Sequence, residues 1–507
     1  METILLPDKY RDQIYGVLNC YDRVIIAGNL QPFCYAHGMT NYLYKQSIRI
    51  FDYTRFAEPL RDEIRQNAER IAAENGLIIE YIRKKNFRKE DRIRAILKKR
   101  GEHPGLVHIF SAMETCCSYQ PWHDKTTGKT YLKAKTSKCL HYYFYFIDAE
   151  LGLCFLRVST WCPFTLEFYF NGHAQLATRL KEHGIAFEQR DNAFTNIADF
   201  EVANKLAHDL KIEHLHAKLD EFARQYCPAA TTLQHQYHWS IRQAEYATDV
   251  VFKRQAVLQA LYAALIYVLA VCVRPDDIAT FLGQKLHGNY KGEVGNRYNK
   301  RQLGRRVKHV MGPVSIKMYD KFGLILRIET TVNDVSFFRH YRKVIHRNGT
   351  RETKWAKMKK TLYSLAPLQE VLLAANQRYL AYLSEIETPE LGTSLLNRLS
   401  QTLAEKQHSY KGFNLLAEED AAVCRALLRG EFAISGLTRK ALRQIFPDKT
   451  DGQLSRLLKR LRVHGLIKKV GKHYKYYLTK LGRSVAALAL KLRELIVIPA
   501  LANVATA

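Results

Sequence analysis

The chain has 507 residues, with 78 Lys+Arg against 49 Asp+Glu and a formal net charge of +29. Its 47% hydrophobic and 11% aromatic content excludes a mostly disordered or low-complexity protein, and the length suffices for several buried cores. The charge bears on partners rather than fold, and points to nucleic acid or an anionic membrane surface.

The start, Met1 to Pro7, has no basic region leading into an apolar core, so no signal peptide is expected. Ten cysteines are scattered without a CxxC pair or zinc-ligand spacing, which suggests reduced thiols and a cytoplasmic location. Residues 1–135 read as a mixed α/β N-terminal domain, with strands near 23–28, 77–82 and 106–110 and a helix over 56–75. Residues 83–100 hold ten Lys/Arg and two acids. They fit either a solvated helix face or a phosphate-tracking stripe with Phe87 as a stacking ring.

Residues 136–400 read as an α+β core. Strands over 140–147, 153–158 and 164–170, a helix over 173–183 and a strand over 185–189 give a β-β-β-α-β order. Residues 200–282 are expected to be helical. Within them 256–273 is an apolar run of eighteen residues, at the short limit for crossing ~30 Å of hydrocarbon. Gln259 and two tyrosines interrupt it, so it reads as a buried core helix, with no membrane partner. A basic, glycine-punctuated hairpin region over 284–335 contains strands at 314–319 and 324–331. Residues 339–360 carry nine Lys/Arg and one Glu. Residues 361–400 read as helical, 401–412 as a linker and 413–507 as a last domain.

That last domain has the plainest pattern. Helices are expected over 418–429, 439–445 and from Thr450 or Asp451 to 463. In the third, Leu454, Leu457, Leu458 and Leu461 fall on one face, and Gln453, Ser455, Arg456, Lys459, Arg460 and Arg462 fall outside it. A hairpin of 466–470 with 474–478 follows, then a final helix, and 430–480 holds thirteen Lys/Arg against three acids. The segment SRLLKRLRVHGLIKKVGKHYKYYLTKLGR resembles MarR-like winged helix-turn-helix families. The resemblance implies that 453–462 reads DNA and that Lys468, Lys469, Lys472 and Lys475 form a wing along the backbone. The chain as a whole resembles a bacterial family that carries such a C-terminal domain, which implies no activity.

Four constellations could carry chemistry. His214-Leu215-His216 has the letters of a strand-borne metal pair, but the surrounding apolar residues have helical spacing. On a helix of ~3.6 residues per turn the two histidines diverge, so the pair is set aside. Ser315 to Lys321 with Leu326-Arg327-Ile328-Glu329 is similar to phage and plasmid replication proteins of the gene II/X and Rep-trans type. Those nick one DNA strand with a tyrosine beside a carboxylate-held metal. The resemblance implies a catalytic role for Tyr319, metal ligation (Mg²⁺ or Mn²⁺) by Glu329, and phosphate contacts by Lys317, Lys321 and Arg327. The plain alternative is a basic hairpin that only binds.

The β-β-β-α-β order also opens an RNase H-like nuclease core, in which Asp148 and Asp191 would be catalytic metal ligands, with Asp249 or Glu329 as a third acid. Both aspartates equally suit turns. Glu245 to Asp249 is a polar cluster ahead of the apolar helix, read either as a site or as a helix cap.

The expected fold is therefore an α/β (α+β) multidomain core with a C-terminal winged helix. The expected function is binding of nucleic acid, DNA over RNA, by a protein of a mobile or replicative element, with metal-dependent strand cleavage as its enzymatic form. A non-enzymatic winged-helix regulator, an RNA-binding protein and an RNase H-like nuclease are the alternatives.

Overall fold

The computed structural model describes residues 4–84, 86–287, 290–301, 304–386, 389–405, 407–432, 436–470 and 474–505. The chain divides into two units: one spans 1–263 and 274–382, the other 264–273 and 383–507.

In chain order the strands of the first unit begin with β1 (Ile14–Asn29), β2 (Glu80–Tyr81), β3 (Gly105–His123), β4 (Thr130–Asp148), β5 (Gly152–Ser159) and β6 (Leu166–Asn171). There follow β7 (Phe187–Gln189), β8 (Phe194–Ile197), β9 (His238–Phe252), β10 (Val294–Arg301), β11 (Gly304–Met311), β12 (Val314–Lys321) and β13 (Ile325–Val332). A separate hairpin, β14 (Arg339–Ile345) with β15 (Arg351–Lys357), comes after them. Eleven strands form one sheet in the order β10-β11-β12-β13-β9-β1-β6-β5-β4-β3-β2. Its neighbours are antiparallel apart from the short β2, which runs parallel to β3.

Burial on both faces explains the dense aromatic strands. In β4, Phe144 and Phe146 meet Tyr226 and Phe222 of the helix Ile212–Tyr226, at centroid distances of 4.6 and 4.8 Å. Tyr143 and Tyr145 point the other way, into a cluster with Ile93 of the helix Lys89–Arg100. β13 is buried along its whole length. Its even positions include Leu326, Ile328 and Thr330, and Thr330 bonds Asn376 of the helix Leu365–Ile386 (2.6 Å). Its odd positions carry Arg327, Glu329 and Thr331 to the opposite face.

Several expectations change. The boundary expected at 135 falls inside β4, and strands from either side of it share the sheet. The stretch read as helical over 200–282 contains β9, which lies between β13 and β1. The three strands before the 173–183 helix are neighbours in the sheet, but the fourth, β7, pairs with β8 in a ribbon outside the sheet. That arrangement does not build an RNase H-like core. The run 256–273 is the helix Gln255–Cys272, and no helix among the described residues is long and apolar enough to cross a membrane.

In the second unit the expected linker folds as a small hairpin, β16 (Leu403–Glu405) with β17 (His408–Tyr410). Helices Glu418–Leu427, Arg439–Ile445 and Asp451–Val463 follow, then β18 (Ile467–Lys469) paired with β19 (Tyr476–Leu478), and the helix Lys480–Leu492. Thr450 and Gln453 form a reciprocal cap on the third helix. Leu454, Leu457, Leu458 and Leu461 enter one core with Leu442, Leu466 and Ile467. At Gly482 a Cβ would stand 1.9 Å from the Leu466 carbonyl oxygen, so glycine permits that close approach.

Candidate functional site

Four neighbouring strands place charged side chains on one buried face. β12 contributes Lys317, Tyr319 and Lys321; β13 contributes Arg327, Glu329 and Thr331; β9 contributes Glu245 and Asp249. Lys317 faces Glu329 across the β12–β13 ladder, and Arg327 faces Asp249 across β13–β9. β1 adds Asp22 through a bulge: the register jumps between Tyr21 and Val24, leaving Asp22 and Arg23 opposite Glu245 alone. Such an extra residue turns a side chain out of its regular alternation.

At one end Arg327 is fully buried and saturated. It donates to both Asp249 oxygens (2.6 Å each), to Asp22 Oδ2 (3.2 Å) and to the Asn192 carbonyl (2.8 Å), and His173 Nε2 lies 3.0 Å from it. Asn171 and Asn192 donate amides to Asp22 Oδ1 at 2.8 and 2.6 Å. Burial pushes the Asp249 carboxyl up, but Arg327 and His173 outweigh it and hold it at about 2. Burial likewise raises Asp22, and Arg327 with His173 brings it well below the carboxylate range. Lys321, bonded to Asn192, is pushed down to about 8 by burial and by the nearby Arg327.

At the other end Tyr319 Oη donates to Glu329 Oε2 at 2.6 Å, and Lys317 donates to Glu329 Oε1 and to Glu245 Oε1 (3.3 Å). Burial, with the Glu329 charge behind it, pushes the Tyr319 phenol well above its ordinary value. Burial and Glu329 also raise Glu245. Burial alone would lower Lys317, but Glu329 and Glu245 raise it. Glu245 and Tyr319 are half-buried, so this end reaches solvent.

Asp22, Glu245 and Glu329 bring one carboxylate oxygen each within 4.8 Å of one another. Three hard oxygen donors suit Mg²⁺ or Mn²⁺. The Lys317 ammonium bridges two of them, so a cation can enter only as Lys317 withdraws.

The other expected site residues fall elsewhere. Asp148 accepts from the Glu150 and Leu151 amides at the β4–β5 turn and pairs with Lys218 (2.9 Å). Asp191 sits at positive φ in an exposed turn, 3.4 Å from Arg94. Neither joins the carboxylate trio, because each is used in turn chemistry. Arg327 and Lys317 do not present free charge to a phosphate, because carboxylates engage both. His214 and His216 lie on a helix and pair with Glu150 and Tyr363. Phe87 packs edge-on against Phe110 (5.6 Å) rather than standing free to stack on a base.

In the C-terminal unit the face read as outward is split. Gln453, Ser455, Arg456, Lys468, Lys469 and Lys475 are exposed, and Lys472 lies outside the described residues. Arg460 turns inward: it bonds both Asp420 oxygens and the Lys411 and Gly412 carbonyls, and lies 3.8 Å over the Phe413 ring. Lys459 and Arg462 both pair with Glu405, at 2.7 and 2.9 Å.

Sequence reasoning missed Asp22, Asn171, His173 and Asn192 as partners. An aspartate just before the apolar stretch 24–27 was the available signal. Glu245 and Asp249 read from sequence either as a site or as a helix cap, although Tyr246, Thr248, Val250 and Phe252 alternate as a strand does. Comparison with known proteins adds no assignment: no family model matches the chain, and neither a curated protein nor a solved structure matches it.

Proposed function

We propose that this chain is a DNA-binding protein of a mobile or replicative element that cleaves one DNA strand, with Tyr319 as nucleophile and Glu329 as its base. The observation that carries this reading is the 2.6 Å bond from Tyr319 Oη to Glu329 Oε2, beside the trio Asp22, Glu245 and Glu329. In the reaction the phenol proton passes to Glu329 and the phenolate oxygen attacks phosphorus. A P–O bond to tyrosine forms as the bond to one deoxyribose oxygen breaks, and that oxygen takes the proton back. The raised phenol makes nearby positive charge necessary. Arg327, which lowers the phenol, supplies part of it, and a divalent cation held by the trio in place of Lys317 would offset charge developing at the phosphate oxygens. The C-terminal unit, taken as a winged helix, would anchor duplex DNA through Arg456 and the hairpin lysines 468, 469 and 475.

A second reading, a non-enzymatic winged-helix regulator, is favoured by one observation: Asp22 and Glu329 each already have a buried cationic partner. Incubation with 5′-labelled single-stranded DNA and Mg²⁺ or Mn²⁺ separates the two. The cleavage reading predicts a shorter product and a protein–DNA adduct stable to denaturant, both lost in Tyr319→Phe. Intact DNA under every condition leaves the regulator.

A further inference from the structure

The hairpin β14–β15 pairs with no strand of the large sheet. Its root is fixed. Phe338 and Met358 are buried, the Met358 amide donates to the Phe338 carbonyl (2.9 Å), and Lys360 pairs with Asp334 (2.9 Å). The Lys360 carbonyl accepts from the Ile241 amide on β9, four residues before Glu245. At ~3.3 Å per residue the root therefore lies roughly 13 Å along that strand from the acidic trio.

Beyond the root, one face of the hairpin is open. Tyr341 and Trp355 are directly opposed across the ladder and are 63% and 66% exposed. Their centroids are 6.4 Å apart with planes at 59°, so neither ring covers the other. Arg339 and Lys343 flank Tyr341, and Lys357 and Thr353 flank Trp355. The exposed Arg339, Lys343, Arg351 and Lys357 have no carboxylate partner among the described residues. The one acid of the segment, Glu352, pairs with Val344 on the other parity, where Lys354 and His346 engage it at 2.9 and 3.0 Å.

Exposed rings between unpaired cations are what unpaired bases on a phosphate chain require. A second copy of this face would set four cations against four, and a duplex would hide the base faces the rings need. We infer that the β14–β15 hairpin holds single-stranded DNA: Tyr341 and Trp355 stack on bases, and Arg339, Lys343, Arg351 and Lys357 contact phosphates. The choice of DNA rests on the reading proposed above; the hairpin would deliver a single strand toward Tyr319.

The test is fluorescence anisotropy of the full chain with labelled dT30, rU30 and a 30-base-pair duplex across salt concentrations. Tyr341→Ala and Trp355→Ala are each expected to weaken dT30 binding at least about fivefold, the lower end for one stacked base. Trp355→Phe is expected to restore most of the loss, and duplex binding to stay within about twofold. Lys343→Gln is expected to lower the salt slope by ~0.7 on single strands. Unchanged dT30 binding, an equal loss on duplex, preference for rU30, or a wild-type dimer that the ring variants dissociate would each overturn the inference. Because the readout is binding, it stands apart from cleavage: Tyr319→Phe should bind dT30 normally, whatever becomes of the adduct.

Discussion

Strand β13 and the hairpin β14–β15 follow one another in the chain and use the same kinds of residue, yet their cations have opposite fates. Arg327 is fully buried between Asp22 and Asp249, whereas Arg339, Lys343, Arg351 and Lys357 stand exposed without carboxylates. Arg460 and Arg456 repeat the contrast on one helix: Arg460 locks to Asp420, and Arg456 is exposed. A count of basic residues measures total charge. Only burial and partners decide how much of it a nucleic acid can meet.

Breaking the buried side of this comparison should have the largest effect. Arg327→Met leaves Asp22 and Asp249 buried without their counter-charge. It should cost about 3–5 kcal/mol, read by urea or guanidinium unfolding. A loss below ~1 kcal/mol would show that the network is not a stabilising element.

Acid offers the same test without mutation. Asp249 is held at about 2, below its ordinary 3.8, so its contribution is complete above about pH 4. It is lost as pH falls toward 2. Lys321 gives the same sign at the basic end. Its folded value of about 8 lies below 10.5, so between those values the unfolded chain binds more protons and stability from this group rises with pH. Lys321→Met should flatten that rise in melting temperatures taken from pH 8 to 10.

The paired arginines sharpen the comparison within one helix. Arg460→Ala should destabilise the C-terminal unit by about 2 kcal/mol through its lost charged hydrogen bonds. Arg456→Ala should leave stability within about 0.5 kcal/mol and reduce the duplex salt slope by ~0.9. The smallest stability effect belongs to the hairpin. Tyr341→Ala with Trp355→Ala should shift unfolding by no more than about 0.5 kcal/mol per site, since neither ring is buried.

The sequence made some of this legible. Strands near 314–319 and 324–331, the caps and leucines of 451–463 and the core helix over 256–273 follow from local periodicity, and the structure has them. The site itself needed long-range facts. Asp22 lies 305 residues from Arg327, and only strand order brings them together. β9 escaped because Glu245 and Asp249 read as the polar lead-in to the following helix, and only the neighbouring strands show them on a sheet face. Lys317 and Arg327 look from sequence like phosphate ligands, because a burying partner leaves no local mark. The resemblance to phage and plasmid replication proteins brings Tyr319 and Glu329 together, and the structure joins them by a hydrogen bond.

The most direct test of the account is peptide mapping by mass spectrometry after incubation of the full chain with single-stranded DNA and Mn²⁺. One nucleotide-bearing peptide is expected, containing Tyr319, absent from Tyr319→Phe and strongly reduced in Glu329→Gln. Cleavage with no DNA-linked peptide, or a link at another residue, would contradict it.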